Sequence, residues 1–267
     1  MKKAFSLIEI LFVLFSFGIF AFLAQSIFLK IIENYKFNTS SLLQTQNAQN
    51  ALFQIKKLLE NAYFDSISYD FMPLKNTPQS IKNHSLIFYK KPQSFALFTN
   101  YALPCLQEFF NIDSMKISTN LTLDFIPIKA QWNPNLNQKC KIYQNPPEFA
   151  LIKTATFISP QDFYNNTYKG RILTLNAHSL SLETPPIFKN LAAAPQIAPK
   201  IYYLKSPKIL EFSNEILLKD STQKLLILDN FEDAFIWQDS LGIWLKICVK
   251  NPLNTQCFSS IVTNLES

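Results

Sequence analysis

Lys2-Lys3-Ala4-Phe5-Ser6-Leu7-Ile8-Glu9, running on as an apolar stretch to Leu29, is the part of this 267-residue chain from which the rest takes its organisation. From Ile10 to Leu29 there are twenty residues without a charge, interrupted only by Ser16, Gly18, Gln25 and Ser26. As a helix that run is about 30 Å long, the thickness of a bilayer's hydrocarbon core. Glu9 is the anomaly. A carboxylate at membrane depth costs about 2–3 kcal/mol and usually marks a partner or a function.

The helical signal does not stop at Leu29. No proline comes before Pro73, and no glycine lies between Gly18 and Gly170. Ala48, Leu52, Ile55, Leu59 and Ala62 recur at steps of four, three, four and three, with polar residues opposite, which is the period of an amphipathic helix. The pattern predicts one helix from Phe5 to Tyr63, its first half in lipid and its second half a spine laid against a globular domain.

From Ser66 onward prolines appear and the period shortens to two. Ser85–Lys90 and Phe95–Asn100 read as a hairpin, and Leu121–Ile126 alternates. Further strands are expected at Phe149–Ile158, Arg171–Leu175, Ser179–Glu183, Ile201–Lys205, Lys208–Phe212, Glu215–Leu218, Lys224–Leu228, Phe235–Gln238, Ile243–Val249 and Phe258–Val262. Asp239-Ser240-Leu241-Gly242 is a turn in which Gly242 is free to take a positive φ. Asn133–Asn137 and Thr184–Pro199 are proline-rich and expected as surface loops, and Gln161–Lys169 as a short helix or loop. The fold class is therefore α+β: a long N-terminal helix on an antiparallel β-rich body.

Lys2-Lys3-Ala4-Phe5-Ser6-Leu7-Ile8-Glu9 resembles the processing motif of type IV prepilins and pseudopilins. The resemblance covers about thirty residues and combines position, charge, size and hydropathy. It implies cleavage by a prepilin peptidase between Ala4 and Phe5, although glycine is commoner than alanine before the cut. It further implies N-methylation of Phe5 and pairing of Glu9 with the terminal amine of a neighbouring subunit. The resulting division is a leader over 1–4, a transmembrane and assembly helix over 5–29, a periplasmic helical continuation over 30–64, and a β-rich periplasmic domain over 65–267. The chain would sit in the inner membrane as a single-pass protein, N-terminus in the cytoplasm, and pack against other pseudopilins or pilins through its helix. Size and the Trp237…Gly242-Ile243-Trp244 hairpin look most like a minor, J-type pseudopilin of a secretion, DNA-uptake or pilus machine. The retained Glu9 argues against the K-type tip subunit.

The competing reading of the same stretch is a secretory signal, with Lys2-Lys3 as the basic region and Ala24-Gln25-Ser26 as the cleavage site. Glu9 at the mouth of the apolar core argues against it. The competing function is a membrane-anchored or secreted periplasmic binding protein, holding DNA or another ligand without entering a fibre.

Composition narrows the chemistry. The formal charge is +6, and loss of Lys2 and Lys3 would leave +4. Arg171 is the only arginine, and lysine lacks arginine's bidentate fit to phosphate, which weakens a nucleic-acid reading. Cys105, Cys140, Cys248 and Cys257 form an even set in an exported chain, so two disulfides are expected. Of the three possible connectivities the sequence-local one, Cys105–Cys140 with Cys248–Cys257, is favoured. No Cys-x-x-Cys or His spacing fits zinc.

The remaining constellations carry little chemistry. With three glycines the chain has no phosphate-cradling loop and no nucleophile elbow. His84 and His178 lack a neighbouring nucleophile signature and read as surface or satisfied histidines. Asp229-Asn230-Phe231-Glu232-Asp233 reads as a solvated turn, since it lacks the glycine and spacing of a calcium loop. Tyr202-Tyr203-Leu204-Lys205 and Phe88-Tyr89-Lys90-Lys91 mix aromatics with lysines, as base-stacking strands can, but with 25 phenylalanines in the chain such adjacency is expected by chance. No cofactor, metal site or enzymatic activity is expected.

Overall fold

A computed structural model of the chain describes residues 7–90, 110–125, 147–153, 159–175, 179–189, 200–250 and 254–263. Helix α1, Leu7–Glu60, is 54 residues long. Its outer half is fixed by the stripe the sequence singles out: Ala48, Leu52, Ile55, Leu59 and Ala62 are all buried, with Ala51 beside them. A fully buried Leu or Ile contributes about 1.5–3 kcal/mol. The helix owes its persistence outside the membrane-length segment to this packing.

Among the described residues the body contains fifteen strands. They are β1 (Ser68–Tyr69), β2 (Gln79–Ser80), β3 (His84–Phe88), β4 (Phe110–Ile117), β5 (Asn120–Phe125), β6 (Phe149–Lys153), β7 (Lys169–Leu175) and β8 (Ser179–Glu183), followed by β9 (Lys200–Leu204), β10 (Lys208–Phe212), β11 (Glu215–Lys219), β12 (Lys224–Asp229), β13 (Phe231–Gln238), β14 (Ile243–Lys250) and β15 (Thr255–Val262). Two short helices join them, α2 (Pro160–Tyr164) and α3 (Pro186–Lys189). The strands form sheets of order β1-β3-β10-β11-β12, β15-β14-β13-β2 and β4-β5-β8-β7-β6-β9. Every pairing is antiparallel. Helix α1 contacts β12, β14 and β15, and one core joins it to the first two sheets.

The six-stranded sheet has a core on each face. Leu121, Leu123, Leu180, Leu182, Ile201 and Tyr203 pack with Phe188 of α3. On the other face Leu151, Tyr202 and Leu204 meet Tyr63, Tyr89 and Phe163. Strand β9 is thus covered on both sides, and it reads as a continuous apolar run for that reason.

One expectation is corrected and one alternative is set aside. The segment from Thr184 is not a surface loop at its start, because Thr184 is buried and Phe188 of α3 is a core side chain. Phe88, Tyr89, Tyr202 and Tyr203 are buried, so these aromatic–lysine stretches supply no exposed stacking platform for bases. Strand β4 is one the sequence pattern did not reveal. The stretches 95–100, 126, 133–137, 154–158 and 190–199 lie outside the described residues.

Candidate functional site

The first candidate site is the N-terminal end of α1. Glu9 stands in its first turn, among Ile8, Phe12 and Val13. Helical rise places Glu9 about 30 Å from Leu29, at one edge of the apolar run. Helix α1 is long and apolar enough to cross a membrane, and nothing in its most apolar window is buried within the chain. Ala4 and Phe5, the expected cleavage pair, lie outside the described residues.

The second is the C-terminal hairpin. Cys248 of β14 and Cys257 of β15 are directly opposed in register and form a disulfide across nine residues of sequence. Cys105, Cys140 and His178 lie outside the described residues. At the other end of the hairpin, Trp237 and Trp244 are cross-strand partners whose rings stack 5.7 Å apart. Asp239 closes the turn: its carboxylate accepts from the Leu241 N–H at 2.8 Å and the Trp244 indole N–H at 2.7 Å. Gly242 has φ of +150°, and a Cβ there would meet the Val262 carbonyl oxygen.

The third lies where α1 hands over to the sheets. The Tyr63 N–H donates to the Tyr89 carbonyl at 2.9 Å. The Ser66 hydroxyl donates to the Tyr63 carbonyl at 2.6 Å and accepts from the Tyr89 N–H at 3.0 Å. Tyr164 donates to the Ser66 carbonyl at 2.5 Å and stacks on Tyr89 at 5.2 Å. Lys169 reaches in from β7, donating to the Tyr89 hydroxyl and the Tyr164 carbonyl at 3.4 Å each. Burial pushes the Tyr89 phenol up to about 12 and raises Tyr164 further, while it lowers Lys169. Phenols held protonated in this way serve as donors and packing groups, not as bases or nucleophiles. Sequence reading missed this cluster, whose members come from four places in the chain, 63–66, 89, 164 and 169; tyrosine abundance was its only trace.

The smaller candidates resolve into structural roles. His84 Nδ1 lies 2.7 Å from Asp70. Asp70 and Phe71 both take positive φ in the tight turn bounded by Tyr69 and Met72. In the acidic stretch Asn230 takes a positive φ, Asp233 accepts from Ser80 at 2.7 Å, and Glu232 accepts from Thr255. These oxygens tie strands β2 and β15 to β13.

No protein-family model, curated protein or solved structure matches the chain.

Proposed function

We propose that the chain is a structural subunit of the minor-pseudopilin kind. It is inserted as a single-pass inner-membrane protein, cut between Ala4 and Phe5, and drawn by its helix into a short periplasmic fibre of a secretion, DNA-uptake or pilus machine. The observation that carries this reading is the motif Lys2–Glu9 at the head of a 54-residue helix. That helix is exposed over its apolar half and clamped to a β-rich body over its outer half. A carboxylate within or at the edge of lipid must be neutralised or paired. An α-amine released by proteolysis on a neighbouring helix supplies the missing charge, so one cut converts a membrane protein into an assembly unit. The disulfide agrees with an oxidising compartment.

The test is co-expression with a prepilin peptidase, followed by intact-mass and N-terminal analysis. The expected product begins at N-methyl-Phe5, and Ala4→Leu abolishes it. Glu9→Gln keeps size and hydrogen bonding while removing the charge, so it should be inserted and cut normally yet cross-link poorly to partner pseudopilins. A mature chain starting at Ile27 would establish the secretory reading. Wild-type cross-linking yields with Glu9→Gln would remove this carboxylate from assembly, and no cross-link from the wild type itself would leave an anchored binding protein.

A further inference from the structure

Helix α1 has two supports with an unsupported stretch between them. Up to about Leu29 its apolar half is suited to lipid, where no water competes for the backbone bonds. From Ala48 onward Ala48, Ala51, Leu52, Ile55 and Leu59 are buried against the sheets. No residue from Lys30 to Asn47 is buried. These eighteen residues make about 27 Å of helix. The body reaches this stretch at Thr45, which donates to the Gln256 side chain at 2.9 Å. From Lys30 to Ser40 every residue is exposed except Ile32 and Phe37, which are half-buried.

Within that gap the sequence is at its poorest as a helix former. In Asn34-Tyr35-Lys36-Phe37-Asn38-Thr39-Ser40-Ser41 only Lys36 ranks high on the helix scale. The supported turns from Ala48 to Glu60 are instead rich in Ala, Leu, Gln, Lys and Glu. Asparagine, serine and threonine offer the backbone competing bonds. One of these is formed: the Thr39 hydroxyl donates to the Tyr35 carbonyl at 2.6 Å, and such back-bonding weakens and bends a helix. A water-exposed helix of this length is marginal even with good formers. Residues 34–41 therefore stay helical through continuity with the supports on either side.

We propose that residues 34–41 are a hinge: they unwind locally while the helix on both sides stays intact, and the β-rich body thereby swings on its anchor. With no proline or glycine in the stretch, nothing fixes a permanent kink, and the closed helix re-forms after each opening. Eight residues span about 12 Å as helix and up to about 26 Å drawn out, so opening frees the body's orientation and extends its reach from the membrane by up to about 14 Å. The hinge rests on α1 being held in a membrane up to about Leu29, but on neither the cut at Ala4 nor Glu9.

The experiment is hydrogen–deuterium exchange of the full chain in lipid nanodiscs, read by mass spectrometry. Amides of 34–41 should exchange at least about 100-fold faster than those of 10–29 and of 48–60. The triple variant Asn38→Ala, Thr39→Ala, Ser40→Ala changes three exposed positions. It should slow exchange in 34–41 by about tenfold and leave 48–60 unchanged. Swinging is read as the distance between spin labels placed by Ser26→Cys and Asn47→Cys, with the signal of the wild-type chain subtracted. An unbroken helix holds these positions about 32 Å apart. The labelled chain should give a broad distribution, and the same chain with the three alanines a narrow one at that value. Both results should persist with Ala4→Leu or Glu9→Gln added, which separates the hinge from processing and assembly. Exchange in 34–41 within about tenfold of that in 48–60 would overturn the proposal, and so would fast exchange with a narrow distance distribution. Fast exchange running unbroken from 10 through 41 would overturn it too, since no anchor would then hold the segment.

Discussion

The disulfide offers the most direct quantitative test of the β-rich body. Cys248 and Cys257 are already opposed by the β14–β15 ladder, which pairs Ile243 with Val262 at one end and Lys250 with Thr255 at the other. Removing the bridge therefore leaves the native hairpin in place and acts on the unfolded chain. With the cysteines nine positions apart in sequence, the chain-entropy relation gives about 2.6 kcal/mol at 25 °C. For a body of this size each kcal/mol moves the melting temperature by about 2–4 °C, so the expected loss is about 5–10 °C. The measurement is a circular-dichroism melt of the full chain in detergent, wild type against the double variant Cys248→Ser, Cys257→Ser. The double variant isolates this bridge from Cys105 and Cys140, which a reductant would not. Native-state hydrogen exchange in β14 should change little below the melt. A melting temperature within about 1 °C of wild type, or both thiols open to alkylation in unreduced protein, would refute the reasoning.

Glycine substitutions should separate by site. Gly170→Ala drives a Cβ into the Glu183 carbonyl and the Leu182 side chain, and Gly242→Ala adds a positive φ to a clash with Val262. Each should lower stability by about 1–3 kcal/mol in a urea titration, whereas Gly18→Ala meets nothing within 4 Å and should be neutral. Alkali should unfold the body through Tyr89 and Tyr164. Both phenols have folded-state values above the ordinary one, so the folded state holds protons the unfolded state releases, and stability falls as pH rises from about 10 through 12. Tyr89→Phe should shift the alkaline midpoint upward, read as tyrosinate absorbance against circular dichroism. In acid, Asp220 is held below the ordinary carboxylate range, chiefly by the Ser221 hydroxyl and the Thr222 N–H. Its small contribution is present above the ordinary range and lost as pH falls through the depressed value, so Asp220→Asn should flatten the acid limb of the melting curve.

The helix was legible because its two signals act over long distances along the chain and agree. An uncharged run sets the membrane-length half, and the stripe from Ala48 to Ala62 sets the half buried against the sheets. Strands with a solvated face were legible for a similar reason: β8 and β11 alternate in burial as their sequences alternate. Strand β4 was not. Its pairing with β5 shifts register between Asn111 and Lys116, so its sequence, Phe110–Ile117, keeps no single period. Segment 186–189 looked like loop because two prolines precede Phe188, yet Pro186 opens a short helix that carries Phe188 into the core. Partner choice was equally hidden. Strand β3 pairs with β10, far along the chain, and local pattern holds no information about which edges meet.

Strand β9 shows how one short strand can serve two cores. Alternation places its two adjacent tyrosine rings in different cores, Tyr203 among the leucines of β5 and β8 and Tyr202 against Tyr63 and Phe163. Tyr202 meets Tyr63 edge-on at 4.9 Å, and the Tyr203 N–H donates to the Tyr63 hydroxyl at 3.2 Å. Tyr63 lies three residues beyond the end of α1, so this strand locks the six-stranded sheet to the helix's exit. A force applied along α1 therefore reaches two bodies of sheet at once: the first two through Ala48 to Ala62, and the third through Tyr63. On the function proposed above, a subunit drawn into a fibre by its N-terminal helix would use that coupling. Tyr63, with Asp65 accepting from the Tyr202 hydroxyl, is thus among the residues through which traction on α1 would reach the six-stranded sheet.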